Sequence, residues 1–179
     1  MLTATSIETG GGKMINHIVK LTVPNACAEQ FYDFMINPTD ENYSAWWQGE
    51  HLRFHIIKHG DNNHLGDIVF MDEYLGKSHR LVFNAVVITA ERPHKITWQM
   101  IKARIRLPAK VTLELIDSAD GVKLEHKLQI GFTGIGKLLD PFIRLYFNKA
   151  FQNALDEHCK IEWYMLAKHL NPLKNGERN

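Results

Sequence analysis

The chain is short of cysteine and proline and has no surplus of either charge, and each shortage removes a class of protein. Its two cysteines, Cys27 and Cys159, are too far apart for a CxxC pair and too few for a disulfide framework. A reducing compartment suits them, so the expected location is the cytoplasm. Twenty-one Lys and Arg residues against 20 Asp and Glu leave a formal charge of +1, and the cations are scattered among the acids along the whole chain. No basic face for nucleic acid is implied. No stretch approaches the ~20 apolar residues of a membrane span, and residues 1–14 hold no apolar run of signal-peptide length. Neither membrane insertion nor secretion by the general route is expected.

What is present is a chain of 179 residues, 45% hydrophobic, which suits one domain with a sizeable core. That domain is expected over residues 15–170, between a leader at 1–14 and a tail at 171–179. The leader is rich in Thr, Ser and Gly, with Gly10-Gly11-Gly12, and reads as disordered; Met14 is an alternative start.

The pattern along 15–170 is legible. Ile18, Val19, Leu21 and Val23 mark a first strand over 16–23, ended by Pro24. Residues 26–36 carry Cys27, Phe31, Phe34 and Met35 at helical spacing, stopped by Asn37-Pro38. Asp40 can cap a second short helix holding Tyr43, Trp46 and Trp47, closed by Gly49. Six strands are then expected at 51–59, 67–75, 80–91, 95–102, 109–116 and 122–130, joined by short polar turns that suit a meander. In the last, Val122, Leu124, His126, Leu128 and Ile130 share one face and charged or amide side chains share the other, so one side meets a core. From Asp140 as N-cap and Pro141 as first helical residue, apolar residues recur to Leu170. Ile143, Phe147, Ala150, Phe151, Ala154, Leu155, Ile161 and Met165 form the stripe this periodicity predicts.

A curved sheet with one apolar face and a long amphipathic helix must pack together. The expected fold is α+β, a helix-grip: a curved seven-stranded antiparallel sheet, two short helices and a long C-terminal helix enclosing a cavity. Its element order resembles the superfamily holding the Bet v 1 allergens, START lipid-transfer domains and polyketide cyclases. That resemblance implies a hollow between sheet and helix for apolar ligands. On this sequence its wall would include His55, Met71, His126, Phe147, Phe151 and Ala154.

Polar residues inside apolar stripes need a reason, because an unpaired buried charge is costly. His158 and Glu162 are such residues, one helical turn apart on one face, at a spacing that can hold a cation between them. On the strand at 67–75 either Asp72 or Glu73 must look inward, and Glu73 is the expected one. His51, His55 and His59 stand at even spacing, which a regular strand would put on one face, and His64 follows in the turn. A structural alternative is that His158 bonds Glu162 or His126, while Glu73 pairs with Arg53.

Tyr43-Ser44-Ala45-Trp46-Trp47, His51-Leu52-Arg53-Phe54, His59 with His64, Asp72-Glu73-Tyr74-Leu75-Gly76 and His158 with Glu162 resemble the pattern of diacetylphloroglucinol hydrolase and its relatives. That resemblance implies a zinc ion held by His59, Glu73, His158 and Glu162. The segment between His59 and Glu73 is shorter than in that family, and Gly60 stands where a proline is usual, so His51, His55 and His64 stay as alternatives. The activity implied is hydrolysis of an apolar, aromatic or polyketide-like ketone or ester: the metal polarises the carbonyl and water, its pKa lowered toward about 7, attacks. Tyr74 or a spare histidine would protonate the leaving atom. The competing expectation is a metal-free carrier of a lipid or polyketide. An apolar small molecule is the expected partner in both cases, and a homodimer is left open.

Overall fold

The computed structural model describes residues 3–8, 15–76, 79–132 and 147–171, and of 3–8 the strand pairing alone. The elements run β1 (Thr3–Glu8), β2 (Ile15–Val23), α1 (Ala28–Ile36), α2 (Asp40–Trp46), β3 (His51–Lys58), β4 (Ile68–Leu75), β5 (His79–Glu91), β6 (Lys95–Lys102), β7 (Ile105–Ser118), β8 (Gly121–Ile130) and α3 (Lys149–Leu170). Strands β2 to β8 make the expected seven-stranded antiparallel sheet. Where a disordered leader was expected, Thr3–Glu8 pairs with β2 and adds an eighth strand, giving the order β1-β2-β8-β7-β6-β5-β4-β3.

Period-two burial drives the sheet. In β2, Ile15, His17, Val19, Leu21 and Val23 are buried and alternate with partly or fully exposed residues. The same face continues through Val122, Leu124 and Leu128 of β8 and Leu113 and Leu115 of β7, so one side of the sheet is a continuous apolar floor. Helix α3 packs on this floor against β2 and β4, with α1 and α2 beside it. The short helices have local causes. The Thr39 side chain accepts from the Asn42 amide at 3.2 Å and so caps α2, and Gly49, at φ +87°, supplies the left-handed turn into β3.

The long helix departs from its expected course in two ways. Asn148 is extended and its side chain accepts from the Phe151 amide at 3.0 Å, so the described helix starts at Lys149. The expected cap at Asp140, with Pro141 and Ile143, falls among residues 133–146, outside the described residues. The buried stripe is Phe151, Leu155, His158, Cys159, Glu162, Trp163 and Leu166. It is turned by about one residue, ~100°, from the expected one. Ile161 is 49% exposed as a result, and Ala150 is exposed too. The cause is size: Trp163 packs on Phe31 and Trp46, at ring separations of 6.2 and 5.6 Å, and buries far more area than the alanines of the expected stripe.

On the outer face, Asp72 of β4 is gripped from both neighbouring strands. Arg80 of β5 donates to it twice, at 2.9 Å each, and Arg53 of β3 once, at 3.0 Å. These bonds, Arg80's first, hold the Asp72 carboxyl below its ordinary value against the opposing effect of burial. Folding therefore favours the ionised form, and the contribution is present above the unfolded pKa of about 3.9 and lost as pH falls through the lower folded value. Asp72→Asn should lower stability in urea at pH 7 by about 1 kcal/mol, the discounted worth of a partly screened network. The difference from the parent protein should shrink as the titration is repeated toward pH 2.

Candidate functional site

Strands β3 and β4 pair with His51 opposite Glu73. Both face inward, and α3 lowers His158 and Glu162 onto them. His158 Nε2 lies 3.2 Å from Glu162 Oε2 and 3.4 Å from His51 Nε2, and His51 Nε2 lies 3.8 Å from Glu162 Oε2. Donor atoms of His51, Glu73 and His158 all fall within 4.8 Å of one another. His51, His158 and Glu162 are buried and Glu73 is half-buried.

Helix α2 supplies the packing that fixes the rings. Tyr43 stacks on His51 at 4.3 Å and 7°, and Trp47 stacks on His158 at 4.7 Å and 22°. The Tyr43 hydroxyl donates to Glu73 Oε2, and Trp46 Nε1 donates to the Glu162 carbonyl at 2.8 Å. Beside the cluster, Cys159 Sγ lies 3.3 Å from His126 Nδ1.

The protonation pattern follows from burial. Burial is the largest influence on His51 and, with His158 adding to it, brings its pKa down to about 3 against the pull of Glu162. His126 is likewise brought down to about 4, chiefly by burial. Burial also opposes protonation of His158, but the hydrogen bond and charge of Glu162, with Glu73 and Glu50 adding to them, carry it above its ordinary value. Burial pushes Glu162 up, yet His158 above all, then His126 and His51, bring it to about 2. Glu73 is raised, chiefly by burial. Tyr43 is raised well above the ordinary value by burial and then by the charge of Glu73, so its hydroxyl keeps its proton at neutral pH.

This donor set fits a small divalent cation. Bonds of about 2.0–2.1 Å in a tetrahedral site separate neighbouring donor atoms by about 3.3 Å. The gaps between the two imidazole nitrogens, and between His158 and Glu162, are of that size. Two neutral-capable imidazoles and two carboxylates are also the ligand chemistry that zinc accepts.

Of the four expected ligands, Glu73, His158 and Glu162 come together and His59 does not. His59 is 79% exposed, just beyond the end of β3, with its Nδ1 4.0 Å from Asp67. Its turn is closed by Gly60, whose amide donates to Asp67 Oδ1 at 2.5 Å and where a Cβ would collide with the Leu65 carbonyl. The histidine that lies beside Glu73 and His158 is His51. The even-spacing expectation fails because β3 is irregular between His51 and Arg53: one extra residue turns His51, Phe54 and Ile56 inward and Arg53 and His55 outward. His55 therefore binds Asp40 at 2.7 Å and lies beside Phe70, away from the cavity, and His64 binds Asp67 at 2.9 Å. Arg53 meets Asp72 and not Glu73.

Tyr74 is also corrected. The alternation that turns Glu73 inward turns its neighbour outward, where Tyr74 lies under Arg80 at 5.7 Å. The tyrosine inside is Tyr43, whose signal was a short helix dense in aromatics directly before the histidine strand.

Next to the cluster lies a cavity of about 80 Å³, walled by apolar residues that include Met35, Trp98, Met100 and Leu113. Of the expected wall residues, Met71, His126 and Phe151 line it. Phe147 stands a layer behind, packed on Phe151 at 5.1 Å and His17 at 6.3 Å, and Ala154 is half-buried elsewhere on α3.

No protein-family model matches the chain, and no curated protein matches it. Solved structures do. The di-domain ARO/CYC protein StfQ from the steffimycin biosynthetic pathway superposes with a TM-score of 0.62 at 11% identity, over 92% of this chain and 53% of that one. This chain thus spans about half of StfQ. KanY superposes with a TM-score of 0.58 at 13% identity, over 88% and 98% of the two chains. Protein Ms6760 from Mycobacterium smegmatis gives 0.56 at 10% identity over the whole of both. At such identities the likeness shows the fold, a helix-grip, and leaves the chemistry to the site itself.

The buried pair sets a testable energetic asymmetry. His158→Ala leaves the Glu162 carboxylate buried without its closest partner and should cost about 3 kcal/mol in the metal-free protein. Replacing both residues with leucine removes the stranded charge and should cost less than the single change, as read from urea midpoints in the presence of a chelator.

Proposed function

We propose that the chain is a metal-dependent hydrolase that encloses an apolar, aromatic or polyketide-like ketone or ester in the cavity beneath α3. The convergence of His51, Glu73, His158 and Glu162 at the polar end of an apolar cavity carries this reading. These four residues would hold the ion. A divalent metal such as zinc, when bound, supplies a Lewis acid for a carbonyl oxygen and lowers the pKa of water toward about 7.

The chain's own residues do the rest. The apolar wall binds the body of the substrate and excludes bulk water. Tyr43 keeps its proton at neutral pH, and its hydroxyl lies at the cluster's edge on Glu73. It is the group placed to deliver that proton to the carbon or oxygen that leaves when water adds to the acyl carbon, in place of Tyr74. Trp46 and Trp47 keep His51 and His158 in place during turnover.

A second reading is supported by the self-sufficiency of the His158–Glu162 pair and by the apolar wall: a metal-free protein that binds a lipid or polyketide without changing it. Its fold neighbours include an aromatase/cyclase protein, which favours a small-molecule ligand in either case.

Elemental analysis of purified protein should give about one zinc per chain, lost in His51→Ala and in the His158→Ala/Glu162→Ala double variant and kept in His59→Ala. With an alkyl ester as probe, whose alkoxide must be protonated to leave, Tyr43→Phe should lower kcat by about 100-fold or more while zinc content is unchanged, and 4-nitrophenyl acetate, whose leaving group needs no proton, should lose far less. Protein that stays metal-free after zinc is offered, and that yields an apolar ligand by native mass spectrometry whatever the chelator, would establish the second reading instead.

A further inference from the structure

The imidazole of His158 has two nitrogens, and only one is accounted for. Nε2 faces Glu162 and His51. Nδ1 therefore lies on the far side of the ring, where it is buried and has no hydrogen-bond partner. The face of the ring is covered by Trp47, so a partner must approach in the ring plane. A buried ring nitrogen without a partner is destabilising, which makes such an atom a sign of an interaction not yet closed.

A complementary atom is present. Glu50 Oε2 is also buried and without a partner. Glu50 is anchored at its backbone: its amide donates to the Trp47 carbonyl at 3.3 Å, and its carbonyl accepts from the Tyr74 amide at 2.7 Å. It sits in the turn that packs on the His158 ring: Trp47, to whose carbonyl its amide is bonded, stacks on that ring, and the next residue, His51, lies 3.4 Å from His158 Nε2. The neighbourhood thus holds one orphaned carboxylate oxygen and two orphaned imidazole nitrogens, Nδ1 of His51 and Nδ1 of His158, and of the two rings it is His158 on which the Glu50 charge acts in favour of the protonated form.

We infer that Glu50 is the positioning residue of the metal centre, its carboxylate accepting the Nδ1 proton of His158 and so directing the Nε2 lone pair at the ion. The assignment rests on the metal reading above. It goes beyond it by naming a residue that touches neither substrate nor ion. The chemistry is general: a ligating histidine donates its second ring N–H to a carboxylate or carbonyl, which fixes the tautomer and makes the ligand more basic.

The test is zinc affinity by competition with a chromophoric chelator, for the parent chain, Glu50→Ala and Glu50→Gln. Glu50→Ala should bind zinc about 10–100-fold more weakly, and Glu50→Gln, which keeps an acceptor without the charge, should fall between. Nitrogen NMR of the zinc-loaded parent should find the His158 proton on Nδ1, slow to exchange, and find it exchanging freely in Glu50→Ala. A loaded parent with a folded Glu50→Ala of equal affinity overturns the role of Glu50 and leaves the metal reading standing. A parent that takes up no zinc overturns both. Should Glu50→Ala fail to fold, Glu50→Gln decides: affinity equal to the parent with unaltered Nδ1 exchange overturns the assignment.

Discussion

Two carboxylates inside an apolar cavity are the constraint on which this site depends. Glu73 and Glu162 project into space walled by methionine, leucine and tryptophan, where an ionised carboxyl is unstable without a counter-charge. The imidazoles beside them offer little. Burial keeps His51 and His126 neutral, and His158 alone is drawn upward by the acids around it. The acids are met locally instead: His158 bonds Glu162, and Tyr43 donates to Glu73, whose carboxyl burial already raises.

The fold supplies this arrangement from three separate directions. Strand pairing sets His51 beside Glu73, the helical turn sets His158 beside Glu162, and the packing of α3 on the sheet brings the two pairs together. Helix α2 and the residue that ends it then lock the result, because Tyr43 lies on His51 and Trp47 on His158, while Trp46 reaches the backbone of α3. The short helix between the first strand and the meander is thus part of the site. It explains why so much aromatic area is concentrated in a segment of seven residues.

Most strand boundaries were legible to within a residue or two, since turn residues and alternation are local signals, but β7 begins four residues earlier than expected and β1 was not expected at all. The expected boundaries of 95–102 coincide with β6, and those of 122–130 differ from β8 by one residue. Glu73, His158 and Glu162 were legible because each breaks an apolar pattern. His51 was not separable from His55 and His59, because the extra residue in β3 that reverses its alternation leaves no mark in the composition of His51-Leu52-Arg53-Phe54. Tyr74 cannot take the expected role at the cluster, because neighbours on a strand point to opposite faces and Glu73 takes the inner one. The rotation of the α3 stripe is of another kind: counting apolar residues weights an alanine like Trp163, whereas burial weights area.

The two ends of the cavity differ in rigidity, and this bears on what it can hold. The polar end is over-determined by stacking, register and helix geometry, so it fixes where a reacting group must sit. The apolar end carries Met35, Met71 and Met100, unbranched side chains that change rotamer at little cost. Its room of about 80 Å³ is smaller than the roughly 150 Å³ cavity known to hold benzene, so even a single-ring ligand must displace side chains to enter. The methionines are the ones that can yield. A scaffold of this kind holds whatever meets the polar end strictly and the rest of a ligand loosely, so the polar contacts discriminate between ligands more than the shape of the apolar body does.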